Sequence, residues 1–145
     1  MGIKVFLDMD GVVVDFVGGL HRALGVEYNH KDYPYEASKY DMFEDLCART
    51  NGKVSMDNLY SACDNAAFWS GLDWDPMGED ICDTIAEVTK DWKNSVCICT
   101  SPMPKPDAWA GKVAWLNKHL PDVTTWIVIA TSTRRVRGGN LCFVL

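Results

Sequence analysis

Short apolar runs alternate with stretches of helical periodicity along the chain. The first run, Ile3 to Leu7, contains β-branched residues and ends at Asp8, which predicts a buried parallel strand. Phe16 to Leu24 places apolar residues at helical spacing and stops at Gly25, which predicts a helix. Three later apolar runs predict further strands, at 95–100, 126–130 and 141–145.

Four more helices are predicted between the strands, the first two because strand periodicity is lacking there and the last two because apolar residues recur at helical spacing. Their expected ranges are 40–49, 55–64, 76–92 and 107–119. Ser55 is a candidate cap for the second of these helices, and Asp107 for the fourth. The inward-facing stripes predicted for the third and fourth helices are Ile81, Ile85 and Val88, and Trp109, Val113 and Leu116.

The order of these elements is strand, insert, helix, strand, helix, strand. Such alternation is typical of an α/β fold with a parallel sheet and helices on both faces, which makes three layers. In sheets of this kind the active site lies at the carboxyl ends of the strands. Asp8, Thr100 and Thr131 each stand at such an end, so the sequence predicts that they share one site.

Composition and charge exclude several classes of protein. The formal net charge of −6 predicts no broad basic surface for a nucleic-acid polymer. No apolar run reaches the roughly 18 residues that a membrane span needs. Six cysteines occur without a C-x-x-C pair, which favours buried reduced thiols in a cytoplasmic protein over a zinc or redox motif. The length of 145 residues suggests one compact domain with a small insertion.

The pair Asp8 and Asp10 is the sharpest chemical signal in the sequence. A carboxylate at the end of a strand can attack phosphorus and form an aspartyl-phosphate. A second carboxylate two residues later can protonate the leaving alkoxide and then activate water. An ordinary acidic turn is the alternative interpretation. A calcium loop is disfavoured, because the valines at 12–14 supply no oxygen ligands.

These residues resemble the first motif of the haloacid dehalogenase superfamily, D-x-D-G-x-[TV], matched from Asp8 onward. More narrowly, the chain resembles the 5'(3')-deoxyribonucleotidase family in three motifs, which occur in the family's order over nearly the whole chain. The matching segments are D-M-D-G-V-x-x-D-F at 8–16, I-C-T-S-P at 98–102 and K-x-x-W-[LV] at 112–116.

The resemblance implies a role for each motif residue. Asp8 is implied as the nucleophile, Asp10 as the general acid/base, and Lys112 as the cation that neutralises charge shared by Asp8 and the phosphate. The implied phosphate-binding residues are Thr100, Ser101 and Lys105. Phe16 is implied to stack on the substrate base, with a core position in the first helical turn as an equal alternative. Thr100 also fits a Ser/Thr-Pro turn, and Lys112 an exposed helix lysine.

Domain organisation and a cofactor also follow from the resemblance. It implies a Rossmann-like core, typical of the haloacid dehalogenase superfamily, over 1–15 and 76–145. Residues 16–75 would form a small inserted helical cap over the site. Mg²⁺ is the implied cofactor, with Asp8 and Asp10 as ligands and an acid of the family's fourth motif completing the site.

The last part of the chain departs from the family pattern. No acid follows Asp122, and the acid pair of the fourth motif would fall near Val144 and Leu145. A truncated or frameshifted ending fits this departure, and so does a divergent one. Either ending predicts weak Mg²⁺ binding and slow turnover.

The predicted function is that of a Mg²⁺-dependent phosphatase, which hydrolyses (deoxy)nucleoside monophosphates through an aspartyl-phosphate. One alternative is a catalytically impaired remnant that binds nucleotide or a protein partner. Another is a phosphatase of the same superfamily that acts on a different small phosphate ester. The expected partner is a small-molecule nucleotide in the cytoplasm, with no nucleic-acid polymer and no membrane, and a homodimer is left open.

Overall fold

Three parallel strands form the sheet that carries the predicted site. The computed structural model describes residues 3–27, 42–101, 103, 105–124 and 126–128. The strands within these residues are β1 (Val5–Asp8), β2 (Val96–Thr100) and β3 (Trp126–Val128), hydrogen-bonded in the order β1-β2-β3. The register pairs Asp8 with Cys99, so the ends of β1 and β2 lie side by side. The predicted parallel α/β arrangement is therefore confirmed for this part of the chain.

Helices in the described residues connect and flank these strands. Their bounds are α1 (Phe16–Leu24), α2 (Met42–Arg49), α3 (Met56–Cys63), α4 (Ala66–Ser70), α5 (Gly78–Thr89), α6 (Trp92–Ser95) and α7 (Pro106–His119). The helix predicted over 16–24 is confirmed, and Gly25 ends it with a φ of 64°. Ser55 caps α3 as predicted, in a reciprocal capping box with Asn58. None of the helices in the described ranges is long and apolar enough to cross a membrane.

The helix predicted over 76–92 is divided in two. It ends as α5 at Thr89, because Lys90 adopts a left-handed conformation with a φ of 54°. Asp91 then caps the short helix α6. The predicted inward stripe was also wrong at Val88, which is 61% exposed, whereas Gly78 and Cys82 are buried.

Helix α7 buries a different face from the predicted one. It begins at Pro106, and Asp107 lies in its first turn rather than at the cap. Val113 is exposed, so this predicted inward residue was wrong, and Trp109 is only half-buried. The buried face consists of Ala108, Gly111, Lys112, Trp115 and Leu116. Hydrophobic periodicity predicted the wrong face, because the face that is buried in the structure has a lysine at its centre.

Close contact between α4 and α7 fixes this face. A Cβ built on Gly111 would lie 2.4 Å from the backbone oxygen of Ala66 and 2.7 Å from the Cβ of Trp69. Only a residue without a side chain allows the two helices to approach this closely. The short helix α4, from the predicted cap range, therefore packs directly on a helix of the predicted core.

Several predictions concern features that the described residues do not test. The strand at 141–145, Thr131 and Cys142 lie outside the described ranges. The three-layer Rossmann-like sheet and the division into core (1–15 and 76–145) and cap (16–75) stay predictions. The cysteines in the described ranges are free thiols, and Cys97 and Cys99 are buried as predicted.

The Gly111→Ala variant should be less stable than the parent protein. Alanine favours helix by about 1 kcal/mol over glycine, but the added methyl group would overlap the backbone of α4. Overpacking of this kind costs roughly 1–3 kcal/mol, so the free energy of unfolding should fall in urea titrations. Ala110→Ser, at an exposed position of the same helix, is the control. Equal or higher stability of Gly111→Ala would contradict the described packing.

Candidate active site

The end of β1 places two carboxylates at the edge of the sheet. Asp8 is the last residue of β1, and the backbone N–H of Met9 donates to the Cys99 carbonyl at 3.2 Å, which prolongs the parallel pairing with β2. The chain then turns sharply, with Gly11 at a φ of 77°. The N–H groups of Val13 and Val14 both donate to the Met9 carbonyl at 3.0 Å. This tight turn holds Asp10 beside the end of β2.

Lys112 joins the two strand ends. Its Nζ donates to Asp10 Oδ2 at 2.5 Å, to Thr100 Oγ1 at 2.7 Å and to the Ser101 carbonyl at 3.1 Å. Three acceptors match the three N–H bonds of an ammonium group. The side chain is 2% exposed, so the alternative of an exposed helix lysine is wrong. The structure thus brings together Asp10, Thr100, Ser101 and Lys112, four residues that the sequence singled out.

Burial and the nearby lysine set the proton affinities of the two acids. Burial raises the pKa of Asp8 above its ordinary value, against the lowering effects of the N–H groups of Met9 and Asp10 and of the charge on Lys112. Burial also raises the pKa of Asp10, and the charge and hydrogen bond of Lys112 oppose this rise. Both carboxyl groups therefore hold a proton to higher pH than free aspartic acid.

The two oxygens of Asp10 have different surroundings. Oδ2 accepts from Lys112 and, at 3.4 Å, from the Thr100 hydroxyl. Oδ1 is buried and has no hydrogen-bond partner among the described residues. A buried oxygen that accepts no hydrogen bond is unfavourable when it carries a charge, and binding a proton removes that charge. Oδ1 is therefore the atom of Asp10 suited to carry one.

The donor atoms at this strand end are of the kind that Mg²⁺ prefers. Asp8 and Asp10 supply hard oxygens, and Mg²⁺ is commonly held by one or two carboxylates together with water and a substrate phosphate. Lys112 already balances the Asp10 carboxylate, which leaves Asp8 as the carboxylate open to a cation. No group of three or more His, Cys, Asp or Glu side chains arranged to hold a metal is present among the described residues. The residues fit a Mg²⁺ ion shared with water and phosphate.

Lys105 and Phe16 have other partners in this structure. The Nζ of Lys105 lies 3.6 Å from the carboxylate of Asp64, which follows α3, and its side chain is largely exposed. Phe16 is buried and stacks on Trp69 with ring centroids 5.1 Å apart. Phe68 meets Phe16 edge-on at 6.0 Å. The phosphate role of Lys105 and the base-stacking role of Phe16 stay predictions.

Sequence reasoning overlooked Trp69 as a neighbour of the site. The Nζ of Lys112 lies 4.1 Å from the centroid of its ring. The contact joins residues 43 positions apart in sequence, so local periodicity could not reveal it. The signal that could have found it is Gly111, since a glycine inside a helix beside a motif lysine indicates close approach by another element.

Adjacent parallel strands that end in a carboxylate pair and a hydroxyl, linked by a buried lysine, are features of the haloacid dehalogenase class of α/β proteins. The sequence model of the family described as "5' nucleotidase, deoxy (Pyrimidine), cytosolic type C protein" matches residues 2–143. The chain belongs to this family, and the resemblance to deoxyribonucleotidases is confirmed.

A human relative agrees with this assignment. The protein named 5'(3')-deoxyribonucleotidase, cytosolic type, from Homo sapiens is 27% identical over 141 residues. The match covers 96% of this chain and 68% of the human protein. At the level of the family, the chain is thus of the nucleotidase type of phosphatase.

The Lys112→Met variant should lose stability as pH rises. Methionine fills a similar volume but removes the charge that opposes the raised pKa of Asp10. A carboxyl group whose pKa is higher in the folded than in the unfolded state stabilises the fold at pH values below its unfolded pKa of 3.8. It loses this contribution as pH rises through its folded pKa. The variant should therefore be close to the parent near pH 4 and clearly less stable near pH 8, measured by thermal unfolding in EDTA.

Lys118→Met is the matched control, because Lys118 is exposed in the last turn of the same helix. It should follow the parent across the pH range. Breaking a buried ion pair costs roughly 3–5 kcal/mol when the remaining group stays charged. Protonation of Asp10 removes that charge, so the loss in the free energy of unfolding should stay below this range. A pH-independent difference between Lys112→Met and the parent would contradict the coupling to Asp10.

Proposed function

We propose that this protein is a Mg²⁺-dependent phosphatase that hydrolyses (deoxy)nucleoside monophosphates through an aspartyl-phosphate on Asp8. The observation that supports the proposal most strongly is the contact of the buried Lys112 ammonium with Asp10 and Thr100 at adjacent strand ends. This arrangement gathers positive charge, a proton donor and a hydroxyl next to a carboxylate. Membership of the nucleotidase family supports a nucleotide as the substrate.

In the first step, a carboxylate oxygen of Asp8 attacks phosphorus and the phosphorus–oxygen bond to the ester oxygen breaks. Asp10 gives its proton to the departing alkoxide, so that a neutral alcohol leaves. The raised pKa of Asp10 supports this role, because it keeps the proton available at higher pH than an exposed aspartic acid would. The Thr100 hydroxyl and the Lys112 ammonium offset the negative charge of the phosphoryl group.

In the second step, Asp10, now a carboxylate, takes a proton from water as the water oxygen attacks phosphorus. The bond between phosphorus and the Asp8 oxygen breaks, inorganic phosphate leaves, and both aspartates return to their starting states. Lys112 donates to Asp10 Oδ2 in this structure, which leaves Oδ1 as the oxygen that we propose to give and take the proton.

Asp8, through its carboxylate, and Asp10, through its backbone carbonyl, would hold the Mg²⁺ ion. When bound, the ion offsets the repulsion between the Asp8 carboxylate and the phosphate. We place the reaction in the cytoplasm, in keeping with the description of the family and of the human relative as cytosolic.

Substitution of the two aspartates tests the chemistry. Asp8→Asn should abolish hydrolysis of a nucleoside monophosphate, because an amide cannot form the covalent intermediate. Asp10→Asn should lower kcat by roughly 10²–10⁴-fold, the usual contribution of a general acid/base. Release of inorganic phosphate with and without added Mg²⁺ is the measurement. Asp73→Asn is the control, because Asp73 is exposed and pairs with Arg22 on the surface.

Undiminished turnover by Asp8→Asn would exclude the covalent mechanism. Loss of activity in Asp73→Asn equal to that in Asp10→Asn would show that any change of charge in this region disturbs the enzyme. Circular dichroism of each variant should match the parent spectrum, which separates loss of chemistry from loss of fold.

Choice of substrate tests the nucleotide assignment and the role of Phe16. A deoxynucleoside monophosphate should have a higher kcat/KM than ribose 5-phosphate, which lacks the base. Base–aromatic stacking contributes about 1–3 kcal/mol, so Phe16→Leu should raise KM for the nucleotide by roughly tenfold and barely change KM for the sugar phosphate. An equal change in KM with both substrates would assign Phe16 to the aromatic core alone, where it contacts Trp69 and Phe68.

A further inference from the structure

Trp69 supplies a fourth neighbour to the Lys112 ammonium. Its ring centroid lies 4.1 Å from Nζ, well inside the roughly 6 Å range of a cation–π interaction. Trp69 and Lys112 are 1% and 2% exposed, so water does not screen the contact. The three N–H bonds of the ammonium are directed to Asp10, Thr100 and the Ser101 carbonyl. The indole ring thus contacts the ammonium in addition to its three hydrogen-bond acceptors.

The ring itself is held in place. Its Nε1–H donates to the Cys63 carbonyl at 2.6 Å. Phe16 stacks nearly parallel to it, with an angle of 5° between the rings, and Phe68 meets it edge-on at 5.2 Å. A ring with this many constraints has little freedom to turn away from the ammonium.

The backbone of α7 is shaped to admit this ring. Gly111, the residue before Lys112, has no Cβ, and one built there would lie 2.7 Å from the Cβ of Trp69. Any larger residue at this position would push α4, and Trp69 with it, away from α7. The close approach of the two backbones and the cation–π contact of Trp69 with Lys112 therefore both depend on how α4 packs against α7.

We propose that Trp69 is a positioning residue, whose ring holds the Lys112 ammonium in contact with Asp10 and Thr100 at the reaction centre. The inference rests on the proposed function. A lysine side chain has a flexible stem, and the three acceptors of its ammonium belong to the end of β2 and the turns beside it. The ring limits movement of the ammonium away from them, so its effect on catalysis passes through Lys112.

Kinetics of three variants test the proposal. Trp69→Leu should lower kcat about tenfold, which corresponds to the loss of a desolvated cation–π contact. Trp69→Phe keeps an aromatic face and should stay within about threefold of the parent. Trp115→Leu is the matched control, because Trp115 is equally buried and donates its indole N–H to the Leu72 carbonyl at 2.8 Å. This control should lose thermal stability to a similar extent and keep kcat.

Nuclear magnetic resonance tests the contact without any turnover. The ring current of Trp69 should shift the ε-methylene protons of Lys112 upfield in the parent protein, with Lys112→Met used to assign the signal. The shift should disappear in Trp69→Leu and persist in Trp69→Phe and Trp115→Leu. Should Trp69→Leu fail to fold, Trp69→Phe carries the test by keeping both the shifted signal and most of kcat.

The results separate this inference from the proposed function. Activity of the parent together with an unchanged kcat in Trp69→Leu would overturn the positioning role and leave the phosphatase assignment standing. A parent protein without phosphatase activity, but with the shifted Lys112 signal, would overturn the proposed function and retain the contact. Equal losses of kcat in Trp69→Leu and Trp115→Leu would reduce Trp69 to a core residue.

Discussion

Burial of a single ammonium group constrains the described part of the candidate active site. Taking a lysine charge out of water costs several kcal/mol unless partners replace the lost hydration. Lys112 finds them in Asp10, Thr100 and the Ser101 carbonyl, and in the ring of Trp69. These partners come from the turn after β1, the end of β2 and helix α4. The need to satisfy one charge therefore ties together elements that are distant in sequence.

The same charge makes the two aspartates unequal. Asp8 accepts from the backbone N–H of Met9 at 2.8 Å, and its carboxylate faces the charge of Lys112 without a direct hydrogen bond to it. Asp10 is bound to Lys112 through one oxygen, and its other oxygen is buried without a partner in the part of the chain that the structure describes. Environments that differ in this way support the proposed division of the pair into a nucleophile and a proton carrier. The proposed division rests on the position of Lys112 and not on the D-x-D spacing alone.

Features that depend on residues close together in the chain were predicted from the sequence. Features that depend on contacts between residues far apart in the chain were not. Asp8 and Thr100 were placed at strand ends from short apolar runs, and helix α1 was predicted with its observed bounds, because these features are local. The predicted buried face of α7 was wrong, because it left out Lys112. The burial of Lys112 depends on hydrogen-bond acceptors that are distant in sequence. The contact of Trp69 with Lys112 escaped prediction for the same reason, since it depends on how closely α4 approaches Gly111.

A phosphorylated Asp8 is the most direct test of the central claim that this strand-end carboxylate forms a covalent intermediate. A nucleoside monophosphate is mixed with the protein and Mg²⁺, the reaction is stopped in acid within the first turnover, and peptides are sequenced by mass spectrometry. We expect a phosphate on Asp8 that hydroxylamine removes and that is absent from the Asp8→Asn protein. Steady release of inorganic phosphate with no phosphorylated peptide, or with the phosphate on another residue, would contradict it.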